Sequence, residues 1–369
     1  MAFQFQMVGA LSPLFATTYG VGLADIGLLI GLFSAPGMVI SIPGGSLAAR
    51  FGDKRLLVGA AALMVLGGVL AATAQSMSMQ IVARVIAGVG GITINVVGTK
   101  VVADLFGGRE IGTAMAIFIN SWPFGIALAL LILPALAGFG GLGAALGAVA
   151  GFTVIGLLLL MVAYRPLPHV GTGLTAAQRP RGSAGAALLL AALIWSLLNV
   201  ALLVVFSFGP VLLTDRGMDL IPASGMTSLT LWVLAATAPF GGTLADRTGR
   251  RDGVILGGLA VYGAGLLTLI LAGSAALGFV LVGLGVGLCA GPIMMLPAAV
   301  LTPVTRSIGM GLFYSIYYGF LLAGPAAVGA LATWQGSARP GFVAALAMIA
   351  VCVPLLAFFR SRSARPLPA

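Results

Sequence analysis

Two polar side chains, Arg84 and Asn95, lie inside one strongly apolar run of the sequence at residues 79–104. Eleven steps of about 100° place Asn95 only about 20° from Arg84 around a helix, and Gly88 and Gly91 share that face. A guanidinium keeps its charge and offers five donors that match carboxylate or phosphate oxygens. Because no acidic residue lies at a comparable depth in any apolar run, the spacing predicts a polar stripe that binds an anion.

A charged loop occurs twice in the sequence. Residues 240–253 read FGGTLADRTGRRDG and residues 43–56 read PGGSLAARFGDKRL, but Ala49 stands where the second copy has Asp246. Paired glycines let membrane helices approach closely. A carboxylate beside the N-terminus of a facing helix contributes about 0.3–2 kcal/mol. We therefore predict that each loop forms a reversible contact between helices, which we call a latch, and that the two latches differ in strength.

The sequence offers little for catalysis or metal binding. Its one histidine, His169, lies in a hydrophilic loop, and Cys289 and Cys352 are isolated in separate apolar runs. No G-x-x-x-x-G-K-[ST] motif for nucleotide phosphates is present. We therefore expect no catalytic residue, no metal and no cofactor, and a protein that is not an enzyme.

Apolar runs long enough to cross a membrane recur along the whole chain of 369 residues. The composition is 60% hydrophobic and 7% charged, with a mean hydropathy of +1.17. Runs of this length read as transmembrane helices. The twelve predicted spans are 1–20, 24–48, 56–75, 79–104, 110–136, 140–164, 185–212, 222–245, 253–273, 275–301, 307–333 and 339–359.

The cations are distributed unevenly between the two ends of these spans. The loops that follow even-numbered spans carry nearly all of the Lys and Arg residues, whereas those after odd-numbered spans carry only Arg216 and Arg339. We name these two faces the basic end and the far end. Basic loops stay in the cytoplasm, so the sequence predicts a multi-pass protein of the cytoplasmic (inner) membrane with both termini cytoplasmic. The net charge of +10 is explained in this way without nucleic-acid binding.

The chain divides into two similar halves. Matches at a constant offset of 197 residues include Gly88-Val89-Gly90 with Gly285-Val286-Gly287, and Pro13 with Pro210. We predict an N-terminal six-helix bundle at 1–164, a cytoplasmic linker at 165–184, a C-terminal bundle at 185–359 and a basic tail at 360–369. Six spans per repeat keep both halves in the same orientation.

The two loops and RVIAGVG at 84–90 resemble motifs of the major facilitator superfamily of secondary transporters. The loops are similar to its G-x-L-A-D-R-x-G-R-R motif, and RVIAGVG is similar to its R-x-x-x-G-x-G motif. Residues 99–128 are faintly similar to cyanate-permease-like members. The resemblance implies an all-α integral membrane fold of twelve helices, as two parallel six-helix bundles related by a pseudo-two-fold axis along the membrane normal.

The resemblance also places a cavity between spans 1, 4, 7 and 10, flanked by spans 2, 5, 8 and 11. Polar residues inside membrane spans are functional candidates. The candidate solute-binding residues are Arg84, Asn95, Gln6, Asn120, Asn199, Tyr314, Tyr317 and Tyr318. The candidate gating residues at the basic end are Gly45, Arg50, Lys54, Asp104, Gly242, Asp246, Arg247, Arg250 and Arg251, with Arg50 and Lys54 expected to pair with Asp104.

These features favour a secondary active transporter of a small anionic solute that works by alternating access. An exporter of amphipathic compounds and a non-transporting membrane sensor on the same fold are the alternatives. The expected partners are a small-molecule solute and the lipid bilayer, without nucleic acid, and the protein is expected to be a monomer.

Span 1 is shorter than its repeat partner, span 7. Subtracting 197 from Gly185 puts the expected start of span 1 about twelve residues before Met1. We therefore expect a start codon upstream or a truly short first helix. In either case, helix 1 should begin near the membrane midplane, with Gln6 close to its first turn.

Overall fold

The computed structural model describes residues 1–41, 51–106, 111–165, 180, 182–302 and 305–363, and within these ranges the chain is helical with no strand. The helices are Ala2–Ala10 and Ser12–Tyr19 in span 1, Leu23–Leu32 and Gly37–Ile40 in span 2, Asp53–Thr73 in span 3, Met77–Leu105 in span 4, Ile111–Ala163 in spans 5 and 6, Gly182–Thr214 in span 7, Leu220–Thr248 in span 8, Arg251–Ile270 in span 9, Ala275–Met294 in span 10, Arg306–Gln335 in span 11 and Arg339–Ser363 in span 12. A short 3-10 turn, Pro297–Ala299, follows span 10.

The twelve predicted spans are confirmed. Ten described helical segments are long and apolar enough to cross a membrane. One of them contains both span 5 and span 6, and span 1 is divided into two short helices that are not counted among the ten.

Spans 5 and 6 are separated by a glycine turn. As one straight helix, Ile111–Ala163 would be about 80 Å long, far beyond the roughly 30 Å of a bilayer core. The chain breaks at Gly140 and at Gly141, whose φ of 71° and ψ of −171° are essentially restricted to glycine. The turn returns the chain across the bundle.

Span 1 begins level with the middle of its neighbours, as expected. Gln4 Nε2 donates to the carbonyl of Met64, 3.0 Å away, and Met64 is central in span 3. At the far end of the bundle, Tyr19 donates its hydroxyl to the carbonyl of Ala74, which follows span 3. The two short helices of span 1 thus run from mid-depth to the far end.

The internal repeat is confirmed as a structural one, but its constant offset is wrong in spans 3, 4, 9 and 10. Gly67 of span 3 packs against the backbone of Ala83 and Ala87, and Gly265 of span 9 packs in the same way against Gly278 and Val282. Gly67 therefore corresponds to Gly265, which lies one position beyond the expected match. Ala87 corresponds to Val282, which lies two positions before the expected match.

A second pair of contacts gives the same register. Gly90 packs on Ala60 of span 3, while Gly285 packs on Gly258 of span 9. Gly88-Val89-Gly90 thus corresponds to Gly283-Leu284-Gly285 in space. The sequence match was misplaced by two positions because alternate glycines recur along span 10.

The two halves meet along spans 2 and 11, spans 5 and 8, and spans 1 and 7. Spans 2 and 11 approach so closely that a Cβ on Gly27 would overlap the carbonyl of Pro325, and one on Gly329 would overlap that of Leu23. Phe124 of span 5 lies edge-on to Trp232 of span 8, with ring centroids 5.1 Å apart. These pairs frame the region where the sequence places the site.

Candidate functional site

Polar side chains predicted from the sequence connect the two halves. Gln6 Nε2 donates to the carbonyl of Phe206 at 2.9 Å, and Asn120 Nδ2 donates to that of Ala235 at 3.3 Å. Asn95 Nδ2 donates to the hydroxyl of Tyr318 at 3.2 Å. These are three of the five hydrogen bonds that cross between the halves among the described residues.

The other two crossing bonds join spans 2 and 11. The amide of Ala24 donates to Thr333 Oγ1 at 3.0 Å, and Ser315 Oγ donates to the carbonyl of Met38 at 2.9 Å. Of the five crossing bonds, those made by Asn120 and Ser315 lie nearest the basic end. These two residues lie at similar depths in spans 5 and 11. Further toward the basic end, Ile117 and Phe240 are exposed.

An aromatic wall lies beside the Asn95–Tyr318 contact. The ring centroids of Tyr317 and Tyr318 are 5.0 Å apart, and those of Tyr314 and Tyr317 are 6.2 Å apart. Trp195 of span 7 lies 6.2 Å from Tyr317. Tyr318 is buried over Gly37 of span 2, where a Cβ would meet its ring, whereas Tyr314 and Tyr317 are partly exposed.

Asn199 lies one turn after Trp195 on span 7. Its Nδ2 donates to the carbonyl of Trp195 at 2.8 Å, and the side chain is half-buried. Span 7 therefore contributes one indole and one amide next to the tyrosines of span 11.

Arg84 is enclosed rather than exposed to a cavity. Its side chain is 0% exposed. Nε donates to the carbonyl of Leu29 at 3.0 Å and Nη1 to that of Gln4 at 2.8 Å, and Nη2 donates to that of Phe5. The guanidinium also lies 4.9 Å from the ring centroid of Phe33.

The predicted stripe on span 4 therefore has two environments. Asn95 reaches the opposite half, whereas Arg84 is covered by spans 1 and 2. Span 2 can cover Arg84 because residue 88 of span 4 is a glycine. The backbone of Phe33 packs directly against Gly88 and leaves no room for a Cβ. Helical periodicity gives the face on which a residue lies but not the element that covers that face.

Two further polar residues around Arg84 were missed. Gln4 is fully buried, and Gln80 Nε2 donates to the Tyr19 hydroxyl and to the carbonyl of Ala71, both at 2.9 Å. Gln80 lies one turn before Arg84, so the same helical period would have found it. Together these residues form a polar core inside the N-terminal half.

At the basic end of this half, the expected Lys54–Asp104 pair is replaced by a Lys100 pair. Lys100 Nζ lies 3.1 Å from Asp53 Oδ2 and 2.8 Å from Asp104 Oδ2. Lys54 instead donates to the carbonyl of Met161 at the end of span 6. Adjacent residues on a helix point about 100° apart, so Asp53 faces span 4 while Lys54 faces span 6. Gly45 and Arg50 lie outside the described residues.

The loop of the second half is held by local contacts. Arg251 lies 3.5 Å from Asp246, and both side chains are more than half exposed. Gly241, not Gly242, makes the close approach to a neighbouring helix, against Leu288 of span 10. Arg247 and Arg250 are exposed, and an unpredicted pair, Arg360 with Asp252, joins spans 12 and 9.

No group of three or more His, Cys, Asp or Glu residues that could hold a metal ion occurs in the part of the chain that the structure describes. The candidate site is a mid-depth junction between two helical halves, formed of amide, hydroxyl and aromatic groups, with the buried cation of Arg84 on the same helix as Asn95. Such a junction is where membrane transporters with repeated bundles bind their substrates.

The fold thus defines a multi-span membrane protein built from two repeated six-span bundles. The sequence profile of the Major Facilitator Superfamily matches residues 1–229 and 184–369, which together cover the whole chain. The chain belongs to this superfamily.

Two curated relatives match part of the chain. A probable 4-methylmuconolactone transporter of Cupriavidus pinatubonensis (strain JMP 134 / LMG 1197) is 31% identical over 135 residues, covering 36% of this chain and 31% of the relative. The inner membrane transport protein YajR of Escherichia coli (strain K12) is 33% identical over 138 residues, covering 36% and 30%. Each match thus spans about a third of the relative's length.

Solved structures extend the likeness to the whole fold. Crystal structures of a bacterial homologue of the human lysosomal transporter Spinster, in inward-facing occupied and unoccupied conformations, align with a TM-score of 0.74. They cover 100% of this chain and 96% of theirs, at 17% sequence identity. The family and the relatives are transporters, and no enzyme is among these matches. YajR is consistent with placement in an inner membrane.

Proposed function

We propose that this protein is a secondary carrier that moves a small organic anion across the cytoplasmic membrane by alternating access. Its binding site is the junction of Asn95 and Tyr318 with the aromatic wall of Tyr314, Tyr317 and Trp195. Gln6, Asn120 and Asn199 complete its polar lining.

The comparison of Arg84 with its counterpart carries this proposal. In the register that pairs Ala87 with Val282, Arg84 corresponds to Phe279 of span 10, and both side chains are 0% exposed. In the C-terminal half, the neutral ring of Phe279 fills this buried position. The fold therefore does not require a cation at the equivalent position, Arg84, in the N-terminal half. The charge of Arg84 is then available for a role in function.

The partners of Arg84 leave its charge uncompensated. Its described hydrogen-bond acceptors are three neutral backbone carbonyls, and no acidic residue lies at mid-span anywhere in the sequence. Arg84 is about 16 Å from Asn95 along span 4. At an effective dielectric constant of about 20, one unit charge at that distance favours an anion by about 1 kcal/mol.

The crossing contacts fit a carrier whose two halves move against each other. Among the described residues they extend from the far end to mid-depth. Each crossing bond is a single hydrogen bond, and a typical one contributes about 0.5–1.5 kcal/mol. A set of such bonds is weak enough to exchange during transport.

The wall of Trp195, Tyr314 and Tyr317 also supports a second candidate function, export of an amphipathic compound. Aromatic faces bind flat apolar bodies and cations as well as the apolar part of an organic anion. The two candidates differ in the charge of the solute and in the dependence on Arg84.

Flux in proteoliposomes separates the two candidates. Radiolabelled small organic carboxylates and a cationic amphipathic dye would be tested with the wild-type protein and with Arg84→Met, with and without a pH gradient. We expect carboxylate flux that depends on Arg84 and no dye flux. Dye flux without carboxylate flux would favour the exporter, and the absence of all flux would favour the sensor.

A further inference from the structure

Arg216 and Arg339 are the two cations in the far-end loops, and the fold brings them together. Arg216 follows span 7 and Arg339 begins span 12, yet both line one pocket of about 390 Å³. The rest of the lining includes Asp215 and the apolar residues Leu212, Ile270 and Leu271. Positive charge at this end of the protein is therefore concentrated at one place.

The donors of this pocket are only partly used. Arg216 donates from Nη2 to the carbonyl of Leu269. No hydrogen bond or ion pair within the described ranges uses the guanidinium of Arg339. Asp215, the one carboxylate in the lining, accepts the amide of Ala338 at 3.0 Å, so one of its oxygens holds the start of span 12.

The two arginines line the same pocket. Burial and the charge of Arg339 lower the pKa of Arg216, against a smaller opposing effect of Asp215. Like charges held together without an equal number of acidic groups are destabilising unless an anion joins them. Arginine pairs are suited to phosphate and carboxylate oxygens because guanidinium groups bind them in bidentate fashion.

We propose that this far-end pocket binds an anionic oxygen group, a phosphate or a carboxylate, between Arg216 and Arg339. We take a phospholipid headgroup as the source of this anionic group. Leu271, which lies in the pocket lining directly after span 9, is 68% exposed and offers an apolar surface beside the two charges. A free anion from the solution on that side has the same chemistry and is separated from the lipid by the test below.

In the matching corner of the N-terminal half, the described residues do not place two arginines together. Gly20 and Gly217 both have positive φ and follow spans 1 and 7, which aligns Tyr19 with Arg216. Tyr19 bonds with Ala74 and Gln80 inside its own half. No Lys or Arg occurs at residues 136–150, where span 6 begins. The anion pocket is thus a property of one half and not of the repeated fold.

Hydrogen–deuterium exchange of the full chain in nanodiscs tests this proposal. The starting bilayer is phosphatidylcholine alone, to which either phosphatidylglycerol or soluble inorganic phosphate is added in increasing amounts. We expect phosphatidylglycerol to protect residues 213–219 and 335–340. Arg339→Gln should weaken this apparent affinity about tenfold or more, since it removes charge-assisted hydrogen bonds.

Arg362→Gln is the matched control, because it removes an exposed arginine from the other end of the same helix. It should leave the far-end protection unchanged, and thermal unfolding in phosphatidylcholine verifies that each variant is folded. Protection by phosphatidylglycerol alone supports the lipid source, and protection by phosphate as well supports a free-anion site. No protection by either, or equal protection in Arg339→Gln, overturns the proposal.

Discussion

The two halves of this protein fill the same buried position with different chemistry. In the N-terminal half, Arg84 extends three hydrogen bonds to spans 1 and 2. In the C-terminal half, Phe279 occupies the equivalent place, and Ala275 and Ala290 stand where the first half has Gln80 and Asn95. The duplicated frame therefore tolerates either an ionic or an apolar core here.

Polar groups are divided between the halves in a complementary way. The first half supplies the buried charge and the amides of Asn95 and Asn120, and the second half supplies the tyrosines of span 11. The Asn95–Tyr318 bond is where the two sets meet. A site assembled from unlike halves can bind an asymmetric solute, with its charged part toward one half and its apolar part toward the other.

Removal of the charge at Arg84 should have the largest effect. Arg84→Met keeps an apolar chain in the space that Phe279 fills in the other half, and because the described partners of Arg84 are neutral carbonyls, its removal leaves no opposite charge unpaired. We expect transport to fall by about fivefold, equivalent to the roughly 1 kcal/mol by which the charge favours an anion at that distance, with little change in the thermal unfolding midpoint. Proteoliposome flux and calorimetry measure the two quantities.

Phe279→Met is the control for this change, since it alters the equivalent position without altering charge. It should retain most of the flux. Wild-type flux in Arg84→Met would mean that the cation only packs spans 1 and 2, and the functional difference between the halves would disappear.

The bond that joins the two polar sets should have the next largest effect. Tyr318→Phe removes the hydroxyl that accepts from Asn95, a loss of about 0.7 kcal/mol or about threefold in substrate affinity. Tyr262→Phe is matched, because the Tyr262 hydroxyl is buried without a hydrogen-bond partner among the described residues and belongs to span 9 outside the junction. Equal binding constants for the two variants, measured by substrate titration, would remove Tyr318 from the site.

The smallest effect is expected at the basic end, where the halves also differ. Asp104 is held by Lys100 inside its own half, whereas Asp246 is paired within its own loop, through Arg251. Asp246→Asn should shift the carrier toward the state open at the basic end by about 0.5 kcal/mol, since this exposed carboxylate can approach a facing helix N-terminus when that end closes.

Cysteine accessibility from the two sides of the membrane measures this shift. Asp104→Asn is the comparison and should weaken the Lys100 network without changing the ratio of labelling. If the ratio of labelling from the two sides is unchanged in Asp246→Asn, or changes equally in both variants, the hypothesis that the two latches differ in strength is contradicted.

Much of the fold could be predicted because membrane insertion depends on local composition. Runs such as 185–212 are apolar throughout, and backbone groups in hydrocarbon must bond within their own helix, so the span count follows from the sequence. The mid-depth start of span 1 followed from a repeat visible in sequence. The same repeat misplaced span 10, because alternate glycines give several similar alignments.

The sequence predicted which residues belong to the candidate site but not which groups they contact. Gln6, Asn95 and Asn120 were identified as polar residues inside spans, and each bonds to the opposite half. Their partners are carbonyls or hydroxyls far away along the chain, which no periodicity specifies. Lys100 was not predicted because it lies inside an apolar span, whereas Lys54 belongs to the loop motif.

The sequence by itself determined twelve apolar spans, their duplication and the rarity of charge within them, since these depend on hydropathy and periodicity along single helices. Only the tertiary structure decided that Arg84 is covered by spans 1 and 2, that Lys100 takes both carboxylates of its half, and that Arg216 and Arg339 share a pocket. The physical reason is that these outcomes depend on which helix faces pack together. Close packing at glycines such as Gly88 and Gly27 sets that choice across long separations in the chain.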